Sequence, residues 1–316
     1  MTENRQASRG VRHVTVDGNH DGQRLDNFLM GELGQIPRGL VYRLVRTGQV
    51  RVNGSRAKPM KKLRSGDDVR IPPVADNPPE SRRIPDDLVA RIRACVIEQT
   101  ENLAVIDKPS GVAVQGGSGL NWGLMHVLAR MGEGYRPVHR LDRPTSGLLV
   151  VARHHRAARE LQRAFAGRRV EKRYLALLEG ELAEPTVTVD APLKKVRDAS
   201  GQRRTVVAED GQAALTRFRL LETVGGYSYV EATIETGRMH QIRAHAAGIG
   251  HPLAGDERYN QAPAPAGLNR LFLHAHYLRL DWPEERVFSA PLPEELAGVL
   301  DRLRQDGPDS VSSMDT

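Results

Sequence analysis

Five prolines fall between residues 72 and 87, in PPVADNPPESRRIPDD, and no hydrophobic period runs through them. Proline removes a backbone donor and fixes φ, so neither a helix interior nor a central strand can cross such a stretch. A chain of 316 residues interrupted in this way folds as a short unit and a long one, joined by a linker. The pattern predicts a flexible N-terminus over 1–21, a small module over 22–73, a linker over 74–94, a large domain over 95–304 and a flexible tail over 305–316.

No apolar run approaches the length of a membrane span, so no membrane association is expected. The opening MTENRQASRG is polar and has no apolar signal core, which predicts a cytoplasmic location. Cys95 is the single cysteine, which excludes an internal disulfide framework; in RACVI it reads as a core thiol. The net charge is +7, and its placement matters more than its size. Residues 1–75 hold 14 basic and 7 acidic side chains, leaving 32 of each sign in the rest. All the excess positive charge therefore sits in the first quarter, as expected of a surface that meets a polyanion such as nucleic acid.

Those charges lie on a folded pattern. Leu25, Phe28, Leu29 and Leu33 repeat at helical spacing, and Pro37 can open a second helix that Gly48 would end. On that second helix Leu40, Val41, Leu44 and Val45 form one stripe, with Arg38, Arg43 and Arg46 on the other side. Val50–Val52 alternates like a strand, Asn53-Gly54 is a tight-turn pair, and a patch with Lys61 and Lys62 precedes the short strand in GDDVRIP. The text RLDNFL, YRLVRTGQVRVNG and GDDVRIP resembles the S4 RNA-binding domain. The resemblance implies an α-L fold whose residues Arg38, Arg43, Arg46, Lys61 and Lys62 lie on structured RNA by shape and phosphate contact.

The long unit reads as short apolar runs broken by Gly, Pro and Asn. Strands are predicted at Leu103–Ile106, Leu148–Ala152, Tyr174–Leu178, Leu215–Leu220, Tyr229–Ile234 and Leu271–Leu273, and helices at Ala157–Phe165 and Met239–Ala247. Without regular βαβ alternation, the mixture predicts an α+β domain on a mostly antiparallel mixed sheet.

Four segments carry chemistry. Lys108-Pro109-Ser110-Gly111, with a glycine run at 116–119, lacks a nucleotide fingerprint and reads as an ordinary turn. His139-Arg140-Leu141-Asp142-Arg143-Pro144-Thr145-Ser146-Gly147 sets one carboxylate between two arginines ahead of the apolar run Leu148–Ala152. Such a carboxylate is either a salt-bridged surface acid or one kept ionised and aimed. Tyr174 opens an apolar strand, as a core aromatic or a surface for base stacking. In Thr236–His245, Arg238, Gln241 and His245 share one helical face while Arg243 lies on another. His240 and His245 miss the spacing of a zinc pair, so no metal is expected.

Together and in this order, KPSG, HRLDRPTSGLL, EKRYLALLEG, TGRMHQIRAH with GHPLAGDERY, and LNRLFLHA resemble the RluA-type pseudouridine synthases. The resemblance spans nearly all of residues 96–300, and IPPV, GGSG and GLNRLFLHA point to the RluC-like group. It implies isomerisation of uridine to pseudouridine in large-subunit (23S) ribosomal RNA or its assembly precursor. No cofactor, no metal and no obligatory protein partner are implied, and a monomer is expected. It assigns Asp142 as the catalytic carboxylate, Arg243 as its cationic partner and Tyr174 as the tyrosine against the uracil. Arg140 would fill the gap left by a flipped nucleotide, and Leu273 would wall the base. Met239 departs from the usual Thr or Ser, a hydroxyl that could cap the helix, and the stretch Arg197–Arg204 has no reading. The alternatives are the same chemistry on other rRNA or tRNA sites, a hydrolytic glycosylase, or a non-catalytic RNA-binding or ribosome-assembly protein.

Overall fold

A computed structural model describes residues 10–33, 36, 38–74, 84–116, 122–131, 134–167, 169–197 and 201–305. Pro37, most of the proline-rich stretch, Gly117–Gly119, residues 1–9 of the end predicted to be flexible over 1–21 and residues 306–316 of the tail predicted over 305–316 lie outside these residues.

The small module is built from β1 (Arg12–Thr15), α1 (Leu25–Glu32), α2 (Arg38–Arg46), β2 (Arg51–Val52) and β3 (Asp68–Ile71), with sheet order β1-β3-β2. Leu25, Phe28 and Leu29 of α1 and Val41, Leu44 and Val45 of α2 pack with Val52, Leu63, Val69 and Ile71 into one core, as the helical spacing predicts. Asn53 (φ 51°) and Gly54 (φ 74°) supply the left-handed pair that the tight turn needs. Asp26 is fully buried yet ionically satisfied: the Arg24 fork donates at 3.0 and 2.6 Å, and Tyr42 Oη–H at 2.9 Å ties α2 to α1. The module starts earlier than the sequence suggested. β1, read as part of a flexible terminus, pairs antiparallel with β3 from Arg12↔Ile71 to Thr15↔Asp68. Four residues with one half-buried edge are too few to show a period.

The long unit runs α3 (Asp86–Ala94), β4 (Val96–Gln99), β5 (Leu103–Lys108), α4 (Leu124–Arg130), β6 (Arg136–Pro137), β7 (Ser146–Ala152), α5 (His155–Ala166), β8 (Val170–Glu179), β9 (Thr186–Asp190), β10 (Leu193–Arg197), β11 (Arg203–Val207), β12 (Leu215–Val224), β13 (Tyr227–Ile234), α6 (Gln241–Gly248), β14 (Leu273–Asp281), β15 (Glu285–Ser289) and α7 (Glu294–Gln305). α3 corrects the expected linker. Its Leu88 and Ile92 bury one face in the main core, with acids Asp86 and Asp87 in the favourable first turn. Of the stretch Arg197–Arg204, Arg197 pairs with Arg203 and Arg204 with Val196 at the end of the β10–β11 ladder, and 198–200 lie outside the described residues. The strand predicted at Leu271–Leu273 is β14, which begins at Leu273 and runs on to Asp281.

The main sheet has the order β4-β5-β7-β14-β8-β13-β12-β9, with β15 also on β14 and β6 on β7. The pairings are antiparallel except β7 with β14, so the α+β, mostly antiparallel expectation holds. Both faces of its centre are covered. Ala104, Ile106, Leu149 and Val151 face a core with α3, α4 and α6; Leu103, Val105, Leu148 and Val150 face α5. Burial on both faces is why β7 reads as an unbroken apolar run. Cys95 packs half-buried against the first core, and burial raises its thiol pKa, as for an inert core thiol.

Buried histidines, His139 and His274 among them, make the fold sensitive to acid. His139 Nε2 accepts the Val150 N–H at 2.9 Å, and buried His274 lies between Ser146 Oγ at 2.9 Å and the Ala290 carbonyl at 3.3 Å. Burial pushes their pKa values down to about 3 and about 4. The unfolded chain takes up protons near the ordinary value of 6.5 while the folded chain does not, so stability rises with pH across this window. Between pH 6.5 and 4 each histidine should remove up to about 1.4 kcal/mol per pH unit. Denaturant unfolding at pH 7.5 and 5 checks this; equal stability at the two values would contradict it.

Candidate active site

The loop ahead of β7 is anchored on both sides of Asp142. His139 bonds Val150 and stacks on Phe165 with ring centroids 4.5 Å apart, Leu141 is buried, and the Thr145 N–H closes a turn on the Asp142 carbonyl at 3.1 Å. The Asp142 side chain, 15% exposed, therefore leaves the loop in a fixed direction. Arg143 faces the other way, with Nε donating to the Gly111 carbonyl at 3.0 Å. The Lys108–Gly111 segment, read as an ordinary turn, is the clamp on this loop. Ser110 Oγ–H donates to the Pro144 carbonyl at 2.8 Å, and fully buried Lys108 Nζ donates to the Pro109 and Val112 carbonyls at 2.9 Å. Arg140 is exposed, one residue before Leu141.

Tyr174 is brought beside this loop by the register of three strands. Ala275 of β14 pairs with Gly147 of β7 on one side and with Tyr174 of β8 on the other. Gly147 has φ 108°, and a Cβ there would lie 2.3 Å from the Ala275 carbonyl oxygen. Only glycine lets β14 approach β7 this closely. Burial, and then the charge of Asp142, push the Tyr174 phenol pKa up, so the hydroxyl stays protonated. Leu141 and Leu273 are buried in the same cluster as Tyr174, giving it apolar surroundings.

Arg243 comes from α6. Gln241 and His245 pin that helix to β12: Gln241 Nε2 donates to the Leu215 carbonyl at 2.9 Å, and His245 bonds Thr216 Oγ1 at 2.9 Å and the Ala191 carbonyl at 2.9 Å. Arg243, on the other side, directs Nη1 to 3.7 Å from Asp142 Oδ2. The helix begins at Gln241, two residues later than predicted, so Arg238 does not share its face. Met239 is not at the capping position, which His240 takes in a left-handed conformation, φ 54°. Positive φ is uncommon in a residue other than glycine. It brings His240 Nε2 to 3.8 Å from the same Asp142 oxygen, while Nδ1 bonds Tyr259 Oη at 3.0 Å. Burial pushes the His240 pKa down to about 4, leaving a neutral ring at neutral pH.

The pairing of Asp142 with Arg243 is looser than expected. The Arg243 fork is bonded to Asp256: Nε donates to Oδ2 at 2.7 Å and Nη2 to Oδ1 at 2.5 Å. Asp142 thus faces the guanidinium without a hydrogen bond from it. His240, Asp256 and Tyr259 were missed as site residues, though TGRMHQIRAH and GDERY contain them. In the small module Arg43, Arg46, Lys61 and Lys62 are exposed, and Arg38 opens α2. Among the described residues no group of three or more His, Cys, Asp or Glu is placed to hold a metal ion.

This arrangement offers a half-buried carboxylate, a cation and a neutral imidazole facing one of its oxygens, and a protonated tyrosine in apolar surroundings. Residues 102–248 match the family profile described as RNA pseudouridylate synthase, and residues 23–69 match the S4 domain. A Haemophilus ducreyi protein, ribosomal large subunit pseudouridine synthase C, is 40% identical over 97% of this chain and all of its own length. The Escherichia coli K12 protein of that name is 40% identical over 93% of this chain and 97% of its own. Among solved structures, human RNA pseudouridylate synthase domain containing 4 superposes with a TM-score of 0.59 at 28% identity. That match covers 69% of this chain and 96% of the human one.

Proposed function

The chain belongs to the RNA pseudouridylate synthases, and from that premise we propose that it isomerises uridines of large-subunit ribosomal RNA, with Asp142 as the reacting carboxylate. The activity for which the relatives are named supports the substrate. The observation that carries the site is the convergence of Arg243 and His240 on one oxygen of a fixed, half-buried Asp142.

The reaction breaks the C1′–N1 bond, turns the uracil and joins C1′ to C5; the hydrogen lost from C5 is balanced by one gained at N1. Nothing is oxidised and no group is donated. Uracil leaves as a delocalised anion, so one carboxylate serves where a glycoside hydrolase needs a second as acid. Both routes open to Asp142, attack at C1′ and removal of a sugar proton, need it ionised. The Arg243 charge and the neutral His240 ring both face the oxygen that reacts. Tyr174 offers its face to the uracil, and Leu273 and Leu141 exclude water around it. C1′ is inaccessible in a stacked helix, so the nucleotide must flip out. Exposed Arg140, in the same loop as Asp142, fills the gap it leaves.

The small module delivers the RNA through Arg38, Arg43, Arg46, Lys61 and Lys62. The enzyme acts in the cytoplasm as a monomer with no obligatory protein partner, and the domain limits are 12–73 and 84–305. Among the described residues no helix is long and apolar enough to cross a membrane. Mapping pseudouridines in large-subunit rRNA by carbodiimide primer extension, with and without the gene, tests the function. An unchanged map, or release of free uracil by the purified protein, would overturn it. Reversing Arg43 and Arg46 together to Glu should weaken RNA binding about 10- to 100-fold and flatten the slope of log K against log salt by about 1.5. The rate at saturating RNA should not change. A salt slope equal to wild type would remove these residues from the interface.

A further inference from the structure

We infer that Asp256 is a positioning residue for the reaction, holding Arg243 at a set distance from Asp142 so that the reacting carboxylate is faced by a cation but not bonded to it. The inference rests on Asp142 being the reacting carboxylate. The Gly255–Tyr259 turn lies outside the segments to which the mechanism above assigns a role.

Asp256 is almost wholly buried, and a carboxylate in that position is retained only when its oxygens are saturated with donors. Four are supplied. Oδ2 accepts from Arg243 Nε at 2.7 Å; Oδ1 accepts from Arg243 Nη2 at 2.5 Å, the Arg258 N–H at 3.0 Å and the Tyr259 N–H at 3.2 Å. The turn is itself fixed by Gly255, with φ 69° and a Cβ direction that ends 2.2 Å from the Arg270 carbonyl oxygen. Backbone-to-backbone contact thus sets where Asp256 stands, and Asp256 sets where the guanidinium stands. The Tyr259 ring lies under that guanidinium at 5.1 Å.

Two carboxylates compete for one guanidinium, and the distances decide between them. A planar fork meets a carboxylate best with two parallel bonds. Asp256 takes that bidentate arrangement, and Nη1 alone remains toward Asp142 Oδ2, at 3.7 Å. Without Asp256 the fork would be free to close on Asp142. A carboxylate in a bidentate pair has its lone pairs engaged and is a poorer nucleophile and base. The negative charge of Asp256 also offsets part of the Arg243 charge felt at Asp142. Asp256 therefore acts through Arg243, without touching the RNA.

Asp256→Asn tests this directly. Asparagine Oδ1 still accepts the two backbone N–H groups, but its amide sets a donor against Arg243 Nε and breaks half of the fork. In single-turnover assays on rRNA, its rate should fall about 100-fold with RNA affinity changed less than about threefold. Arg243→Lys, which cannot form a fork, should lose a similar factor. The double variant should be no worse than Arg243→Lys within about threefold, because both changes remove one geometry. Multiplied losses, or weaker RNA binding with an unchanged rate, would overturn the proposal. Should Asp256→Asn unfold below the assay temperature, Asp256→Glu keeps the charge but displaces the fork by one methylene. It should lose at least about 10-fold in rate while remaining folded; a wild-type rate would count against the proposal. An active Asp142→Asn control would instead overturn the assignment of Asp142, leaving the coupling of Asp256 to Arg243 to be read separately.

Discussion

Replacing Asp142 with asparagine is expected to lower pseudouridine formation by about 10⁴-fold or more while RNA affinity stays within about threefold. Asparagine has nearly the shape of aspartate, and the turn is closed through the Asp142 carbonyl, which the substitution keeps. His139, Leu141 and Thr145 still hold the loop, so the fold should be unaffected. Only the charge is lost, at the atom that Arg243 and His240 both face. The measurement is single-turnover conversion of rRNA with a filter-binding titration alongside. Activity above about 1% of wild type would mean that another group reacts, because an amide is far too weak a nucleophile or base to sustain it.

The second large effect is structural. Gly147→Ala should destabilise the long unit by roughly 3–5 kcal/mol, from a positive φ that alanine resists and a clash that is backbone on the far side. The added Cβ would lie 2.3, 2.6 and 2.7 Å from the carbonyl oxygen, nitrogen and carbonyl carbon of Ala275. No side chain can turn away to relieve it, so β14 must move off β7. A fall in Tm of about 8–15 °C is expected at a size of this order. Because Ala275 also pairs with Tyr174, the folded fraction should lose activity through displacement of the tyrosine from Asp142. A Tm within about 2 °C of wild type would show that the strands adjust without cost.

The residues proposed for the site were legible mainly as motifs in a fixed order, and only partly as breaks in local pattern. A carboxylate between arginines ahead of an apolar run stood out by itself, whereas Tyr174 and Arg243 were singled out by the resemblance of their motifs to the pseudouridine synthases; the fold brings the three together. What was not legible depends on contacts distant in sequence. Nothing local says that Arg243 bonds Asp256 and not Asp142, since both are acids at uncertain distance. The left-handed His240 looked helical because its neighbours are. β14 was read as three residues because His274, His276 and Arg279 interrupt its apolar pattern; those polar groups are satisfied by Ser146, Glu231 and Glu171. α3 carried real signals, Pro85 and two acids in its first turn, but the proline-rich run before it masked them. β1 is short, and its single burial stripe takes on meaning only beside β3.

The place of β14 in the sheet has a consequence for the order in which the protein can become active. β7 and β8 follow each other in the chain, yet they are not neighbours; the strand between them, β14, is made about a hundred residues after β8 is complete. At the usual pace of translation that is a delay of roughly 5–20 seconds. Until then, the loop that carries Asp142 ahead of β7 and the strand that carries Tyr174 lack the partner that sets their spacing. Arg243 and Asp256 are also synthesised before that partner. On this topology the spacing of Asp142 and Tyr174 is fixed by the last of the three strands to be synthesised, so a chain that ends before β14 is expected to be inactive.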